Sequence, residues 1–585
     1  MKTKKLKKII ATLLAMFTLV ILSNAQTTSL IWQKHYTGNS LNDYAADVHN
    51  GGDLRIYVCG TKGTNSGDAL TISYNTAGTI NTGWPKTYNG SSNGADYATA
   101  VTSYGSGTTT AIYVAGSATM TGNSQDALLI KYTQSGTQSW VVTWENPVAG
   151  VQQDIANCVK CDGSGNVYIC GRTSSLGGDM FVAKYNSSGT VQWGPIVYNS
   201  SASNDDSPQF MEINGSYLYI TSVRSISGTN HDAVLQKIDM SNGNISWTAV
   251  YDGGITSDID ETYWLDFDNA GNIYTVGTTQ TSTSANSQDA LILKYNSSGT
   301  PQCTTTWNSS NNYDDMLASI DIYYPVDAPM VYVTGYTEVN PTNNDADYLT
   351  MKFDGTACTS PVWTITLDGS GTGCPTANDD YGYMIMVSGP TAKIYVTGRT
   401  FETNQSLNAT TVCYTDNGST ASEDYRHSYD RNSTDNGPGN SNTKYPLELG
   451  WDGCHGWDVI YVTGYTCETS VAPWDATTLQ YAATGNCTEG SEGRMMGGTN
   501  LQAEAIIYPN PFAEKATFKF GTGETVYADA EFIVYDIMGK EVKRIEDINT
   551  YEFEIDMTDF DNGFYFYKFV QAETILATGK FIIKN

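Results

Sequence analysis

Apolar and polar residues alternate along most of this chain, in short runs broken by turns rich in Gly, Asn, Asp and Ser. That period of two is the signature of half-buried β-strands. One strand recurs in recognisable form: "IYVCG" at Ile56, "IYVAG" at Ile112, "VYICG" at Val167, "LYITS" at Leu218, "IYTVG" at Ile273, "VYVTG" at Val331, and "IYVTG" at Ile394 and Ile460. The tyrosines of these eight copies lie 56, 55, 51, 55, 58, 63 and 66 residues apart. A period of strand and turn of that length suits a propeller blade of four strands.

Each unit divides alike. A first strand opens on Asp, as in "DYATAV" from Asp96, and a turn such as "DGSGN" or "DNAGN" leads into the tyrosine strand. A third strand begins "DA", as in "DALLIKY" at Asp126. A glycine turn such as "NSSGT" then delivers a fourth strand carrying an aromatic: Trp84, Trp140, Trp193, Trp247, Trp363, with Tyr425 as a substitute. In the fifth unit Cys303 holds that place. The glycines sit where hairpins need a positive φ. The eighth unit ends at "TLQYAATGNC" without a fourth strand, whereas "SLIWQKHY" near the chain start is a fourth strand with no unit of its own. Supplying one from the other ties a ring shut and removes two open edges. The expected fold is all-β: an eight-bladed β-propeller over residues 27–488, closed by the N-terminal strand. Seven blades plus a degenerate unit is the alternative.

The "GNVY…G…D-A…K-Y…S-G-T…W" pattern resembles the SBBP-type β-propeller repeats of exported bacterial proteins, a resemblance that implies architecture and no single activity.

The two ends carry different signals. "MKTKKLKK" is basic, "IIATLLAMFTLVIL" is apolar over 14 residues, and small residues follow at Ser23 and Ala25. This is the pattern of a secretory signal peptide over residues 1–25, cut between Ala25 and Gln26. The apolar run falls short of the roughly 20 residues that span a bilayer, and no later stretch approaches a span, so no transmembrane segment is expected in the mature chain. A Gly-rich linker over residues 489–503 leads to a module at 504–585, whose alternating apolar residues predict a small β-sandwich. Its "YPNPF" (with Pro509, Asn510 and Pro511), "YDIMGKEV" (Gly539, Lys540), "DNGFYFYKF" (Gly563, Tyr565) and terminal "GKFIIKN" (Gly579, Lys580) closely resemble the C-terminal sorting domain of the type IX secretion system of Bacteroidetes. The resemblance implies recognition by the outer-membrane translocon as partner, followed by release or attachment at the outer surface.

Charge narrows the partners. The formal net charge is -30, and loss of the five leader lysines makes it -35. An acidic surface repels phosphate backbones, so nucleic acid is not expected.

Two aspartate columns are the main candidate chemistry. Asp43, Asp96, Asp154, Asp206, Asp260, Asp315 and Asp380 open the innermost strands, and the eighth unit lacks its counterpart. Such a ring could hold Ca²⁺ through carboxylate oxygens; alternatively each Asp accepts backbone N–H bonds from a neighbouring blade. The "DA" column (Asp68, Asp126, Asp179, Asp232, Asp289, Asp347, Asp475, with Asn408 in the seventh unit) reads as strand-entry turn chemistry. The eleven cysteines offer one close pair, Cys158 and Cys161, without a second pair to complete a tetrahedral site. The later cysteines suit disulfides in an exported protein. The five histidines show no metal spacing, and a "G-x-x-x-W" spacing similar to quinone-cofactor dehydrogenases lacks their docking motif. No organic cofactor is expected.

Inserted loops in the last two units break the repeat. There Trp451, His455, Trp457 and Trp474 form a candidate sugar-stacking set. The functional expectation is an exported surface or secreted protein that binds a glycan or protein. The alternative is a hydrolase or lyase acting on extracellular polysaccharide or peptide, its acid and base among repeat-breaking carboxylates such as Glu402, Glu423 and Asp424.

Overall fold

In a computed structural model, the described residues are 30–38, 41–51, 53–63, 67–122, 124–147, 153–173, 178–198, 206–227, 230–254, 259–281, 288–310, 313–323, 328–340, 345–356, 360–368, 380–388, 393–401, 407–429, 445–452, 459–467, 474–482, 505–508, 515–520, 530–535, 541–548, 550, 552–556, 560, 563–571 and 574–583. The expected cleavage point at Ala25 and Gln26 lies outside them. The chain divides into two compact units, Met1–Thr499 and Asn500–Asn585. Among the described residues the only helical element is the 3₁₀ turn Gly107–Thr109.

The first unit contains eight four-stranded antiparallel sheets in a propeller-like arrangement. Their first strands are Tyr44–Gly51, Tyr97–Tyr104, Asp154–Cys161, Asp206–Asn214, Asp260–Phe267, Asp315–Tyr323, Tyr381–Ser388 and Tyr445–Asp452. Each first strand packs beside the next one in order, and the eighth packs beside the first, which closes the circuit. Seven sheets are simple meanders. The eighth joins Tyr445–Asp452, Val459–Cys467 and Trp474–Ala482 to Leu30–Tyr36, with Leu30 opposite Tyr481, Trp32 opposite Gln480 and Tyr36 opposite Ala476. The orphan strand at the chain start is therefore the missing strand of the last sheet.

Every first strand carries a bulge at the same place, for example between Ala45 and Asp47 and between Ala98 and Ala100. The bulge explains the glycine that ends "IYV-x-G". A Cβ at Gly116 would lie 1.9 Å from the Tyr97 carbonyl oxygen, and the same approach, between 1.8 and 2.0 Å, recurs at Gly60, Gly171, Gly277, Gly335 and Gly398. The strand pair cannot keep its register with a side chain there. Gly116→Ala is expected to cost about 3 kcal/mol through this backbone collision, read as a lowered midpoint in chemical denaturation with the slope unchanged.

The other signature residues meet at the seams between sheets. Each fourth-strand tryptophan donates its indole N–H to the next sheet's glycine turn: Trp140 to the Ser187 carbonyl (3.2 Å), Trp193 to Met240 (3.0 Å) and Trp247 to Ser297 (3.3 Å). The lysine of "K-Y" reaches the same carbonyls, Lys131 to Ser187 at 2.7 Å and Lys184 to Met240 at 3.0 Å. These ammonium groups also lie 5.4 and 5.2 Å from the Tyr113 and Tyr168 rings. The turn glycine is needed twice over. Gly299 has φ +79°, and a Cβ there would stand 2.6 Å from the Trp247 ring. Tyr, Lys, Trp and Gly thus recur because together they clamp one sheet to the next.

In the second unit, the strands Ala505–Tyr508, Lys515–Phe520 and Glu552–Asp556 form one sheet, and Ala530–Tyr535, Glu541–Ile548, Gly563–Gln571 and Thr574–Ile583 another. Phe518 and Ile555 from the first share a single core with Phe532, Val534, Tyr567 and Phe569 from the second.

Candidate functional site

The two aspartate columns, distant in sequence, come together. All seven first-column aspartates are buried. Asp43 accepts N–H bonds from Gly38 (2.5 Å) in the connection from the preceding sheet and from Gly63 (2.7 Å) at the end of the second strand. Asp96 does the same with Gly90 (2.8 Å) and Thr119 (2.6 Å). Asp154 accepts from Asn146 (2.8 Å), Asp315 from Ser309 (2.7 Å), and Asp260 from Gly253 (2.6 Å) and the Thr279 hydroxyl (2.5 Å). Backbone N–H groups left over where the chain passes between sheets are satisfied this way.

At several seams a second-column carboxylate from the preceding sheet adds its repulsion. Burial pushes Asp43 up, its two N–H donors pull it back, and Asp475 pushes it up again. Asp68 acts likewise on Asp96, and Asp289 on Asp315, which burial lifts to about 7. The pairing has a counterpart in the repeat: the seam whose first column lacks its aspartate, between units seven and eight, is the one whose second column carries Asn408. At the preceding seam a third carboxylate joins. Oxygens of Asp347, Asp368 and Asp380 lie within 4.8 Å of one another. Burial first, then Asp368 and Asp345, raise Asp347 to about 6. Three hard oxygen donors at that spacing are chemically able to hold a divalent cation.

The channel between the first strands has its own polar set. Because these strands are edges, their inward N–H groups need partners. Asp47 accepts from Val101 (2.7 Å), Asp266 from Ile322 (2.8 Å) and Asp321 from Val387 (2.7 Å), each reaching from one sheet to the next. Burial raises Asp47 and Asp321 to about 6. Lys160 pairs with Glu212 at 2.8 Å. His49, pushed down to about 4 by burial and by Lys160, meets the Ser103 hydroxyl at 2.9 Å. Trp264 stacks on Phe210 at 3.9 Å between ring centres and also packs on the cluster holding Met384 and Met386, filling one side of the channel.

The residue after each first-column aspartate lines the channel mouth. In the seven sheets that have one it is Tyr44, Tyr97, Ile155, Ser207, Glu261, Met316 and Tyr381. Sheets seven, one and two thus present tyrosine. Tyr97 is 40% exposed and Tyr44 and Tyr381 are partly so. The Arg399 guanidinium stands 4.3 Å from the Tyr381 ring, and Tyr336 meets that ring edge-on at 4.7 Å. On the opposite side, Glu261 takes the Tyr263 hydroxyl and a His231 ring nitrogen, both at 2.7 Å.

The expected stacking set divides. Trp451 pairs with Ile460 and Trp474 with Cys467, at opposite ends of the last sheet and about 20 Å apart along the strands. Trp474 shares the end of the tyrosine mouth. His455, Trp457 and Glu402 lie outside the described residues. Glu423 pairs with Arg426 (2.8 Å) and Asp424 with Lys393 (2.6 Å), on the outer strand of the seventh sheet. The tyrosine arc was missed in the sequence; its signal was the "D-Y" pair at Asp43, Asp96 and Asp380.

Among the sorting residues, Gly563 pairs with Ile583, buried Tyr565 with Phe581, and Gly579 and Lys580 with Tyr567 and Phe566. Pro509, Asn510, Pro511, Gly539 and Lys540 lie outside the described residues. No described helix is long and apolar enough to cross a membrane.

No curated protein matches the chain in sequence. Among solved structures, the quinohemoprotein alcohol dehydrogenase of Comamonas testosteroni is similar at 10% identity and a TM-score of 0.45, over 83% of this chain and 80% of that one. Drosophila Semaphorin 2a is similar at 7% identity and 0.36, over 81% and 94%. At those scores the likenesses bear on neither activity nor ligand. Residues 506–584 match the secretion system C-terminal sorting domain, which makes this an exported protein, handled by the type IX system and delivered to the cell surface or the extracellular space.

Proposed function

We propose that the first unit is an eight-bladed propeller of the SBBP type, closed by its N-terminal strand, and that the exported protein binds an extracellular glycan through the tyrosine-lined mouth of the channel. The second unit is its sandwich-fold sorting module. The carrying observation is a division of labour. The repeating Tyr, Lys, Trp, Gly and Asp are consumed in holding sheet to sheet, whereas Tyr97 is exposed and Tyr44 and Tyr381 stay half-exposed at one mouth. Phenol rings suit sugar faces, with an apolar body and a hydroxyl for the sugar's own hydroxyls. With so many carboxylates nearby, a neutral glycan is favoured over an acidic one. The seven-aspartate column is read as structural, since the carboxylates of Asp43, Asp96, Asp154, Asp260 and Asp315 serve backbone donors.

The Tyr44→Ala, Tyr97→Ala, Tyr381→Ala triple variant should lose at least about tenfold in affinity on a neutral-glycan panel, each lost stacking contact being worth roughly 0.5–1.5 kcal/mol. Its thermal midpoint should change little. Binding equal to that of the parent protein rejects the mouth as the site.

The reading as a hydrolase or lyase finds its clustered carboxylates at Asp347, Asp368 and Asp380. All three lie on the seam between the sixth and seventh sheets, and Asp380 belongs to the backbone-serving column. Turnover of a polysaccharide abolished by Asp368→Asn would favour that reading over binding.

A further inference from the structure

The third sheet sets two cysteines directly against each other. Cys158, on its first strand just past the bulge, lies opposite Cys170 on its second. Residues so placed share a face and have Cα atoms about 4.5–5.5 Å apart, within the roughly 4.4–6.8 Å that a disulfide spans. Both side chains turn into the seam with the fourth sheet: Cys170 is buried beside Met211 and Ile220, and Cys158 packs against the same cluster. The repeat does not require them. The same two positions hold Ala100 and Ala115 in the second sheet, Phe210 and Thr221 in the fourth, and Trp264 and Val276 in the fifth.

The surroundings give the two sulphurs different parts. Cys158, on the strand that lines the channel, is half-buried, whereas Cys170 is fully buried. Lys160, two residues on, shares the face of Cys158 and is held by Glu212 of the fourth sheet at 2.8 Å. The Cys158 thiol is held below its ordinary value by the S–H bond it accepts from Cys170, and then by the Lys160 ammonium and the Met211 N–H, against burial and the Asp47 carboxylate. Cys170 is pushed up by that same bond and by burial. Cys158 is thus the better thiolate, and the thiolate is the nucleophile. Cys161 lies on the other face, in the core between the second and third sheets, where burial pushes its thiol up.

We propose that Cys158 and Cys170 are a redox-active pair, which a low-molecular-weight disulfide entering by the channel oxidises to a cross-strand disulfide in the exported protein. The Cys158 thiolate, its proton given to solvent, attacks one sulphur of the external disulfide; that S–S bond breaks and a first external thiolate leaves. Cys170 passes its proton to this thiolate and attacks the Cys158 sulphur of the mixed disulfide, expelling a second external thiolate, which takes up a proton from solvent. Two protein thiols are oxidised by two electrons, and one external disulfide becomes two external thiols. Delivery outside the reducing cytoplasm favours this direction. The bond staples the first strand to the second where the bulge interrupts their ladder.

The test reduces the folded, full-length exported protein, removes the reductant and adds hydroxyethyl disulfide. The protein is then alkylated, denatured without reductant, and cut both before aspartates and after lysines and arginines, which separates Cys161 from its neighbours. The expected product joins the fragment Asp154–Lys160 to the fragment Asp162–Arg172 and disappears on reduction. Alkylation of both Cys158 and Cys170, a link through Cys161, or a mixed disulfide that persists on Cys158 overturns the pairing. Single variants assign the roles, and either alanine fits because the second sheet already carries Ala100 opposite Ala115. Cys170→Ala should stop at a stable mixed disulfide on Cys158. Cys158→Ala should react at Cys170 at least about tenfold more slowly than Cys158 reacts in Cys170→Ala. Equal rates at the two cysteines overturn the assignment of Cys158 as the attacking thiol.

Discussion

Deleting Leu30–Tyr36 from the full-length protein should abolish cooperative unfolding of the first unit and make it aggregate. The strand does three things at once. It pairs along Ala476–Tyr481, so its loss bares the edge of the last sheet and its row of unpaired N–H and C=O groups. Its Trp32 sits between two sheets, with ring centres 5.8 Å from Tyr74 of the first and 5.9 Å from Tyr461 of the last, and its indole bonds the Thr76 carbonyl. Its His35 reaches the Thr477 hydroxyl at 3.0 Å and, through the other ring nitrogen, the Tyr429 hydroxyl of the seventh sheet at 2.9 Å. One seven-residue strand therefore fastens the last sheet to both neighbours. Losing it forfeits more than about 5 kcal/mol, the lower end of the whole margin of an ordinary domain. Trp32→Ala alone should cost about 3 kcal/mol. The check is a thermal melt followed by both far-UV and near-UV signals, with a peptide spanning residues 28–38 added back in trans. Restoration of a single sharp transition by the peptide is expected. A deleted chain that melts as sharply as the parent would show that the ring does not depend on this closure.

That closure was readable before any coordinates because it is a matter of counting: one fourth strand too many at the start, one too few at the end. Other features resisted reading for physical reasons. Period-two alternation says which residues share a face of a strand. It does not say which face meets the next sheet and which meets the channel, so Tyr44, Tyr97 and Tyr381 looked like ordinary strand residues. The pairing of Asp289 with Asp315 joins the third strand of one unit to the first strand of the next, and a column-by-column reading keeps such residues apart. Trp451 and Trp474 looked alike as repeat-breaking aromatics, yet a full strand length separates them. In the first two cases the missing information was the orientation of one sheet against another, and in the third the register within a single sheet; repeat spacing encodes neither.

The crowding of buried carboxylates has a measurable consequence: the first unit should gain stability as pH falls from 7.5 to about 5.5. Burial raises Asp315 to about 7 and Asp47, Asp321 and Asp347 to about 6, against 3.8 for the ordinary group. A carboxyl whose folded-state value lies above its unfolded value binds protons preferentially in the folded protein. Its ionisation therefore opposes folding at neutral pH, and the penalty is relieved as pH falls through 7 to 6. Histidine works the other way. His49, lowered to about 4 from 6.5, and His427, also lowered by burial, favour the fold while neutral and withdraw that support below about 6.5. Four carboxyls against two imidazoles place the optimum slightly acidic, with a thermal midpoint several degrees above that at pH 7.5. Asp315→Asn separates this account from a general charge effect. The amide oxygen can still accept the Ser309 N–H that Asp315 now takes at 2.7 Å, while the buried charge beside Asp289 is gone. The variant should melt higher than the parent at pH 7.5 and gain less on acidification. A parent midpoint that is flat or falling between pH 7.5 and 5.5, or an Asp315→Asn protein weaker than the parent at pH 7.5, would mean that ions or water at the seams already neutralise these carboxylates.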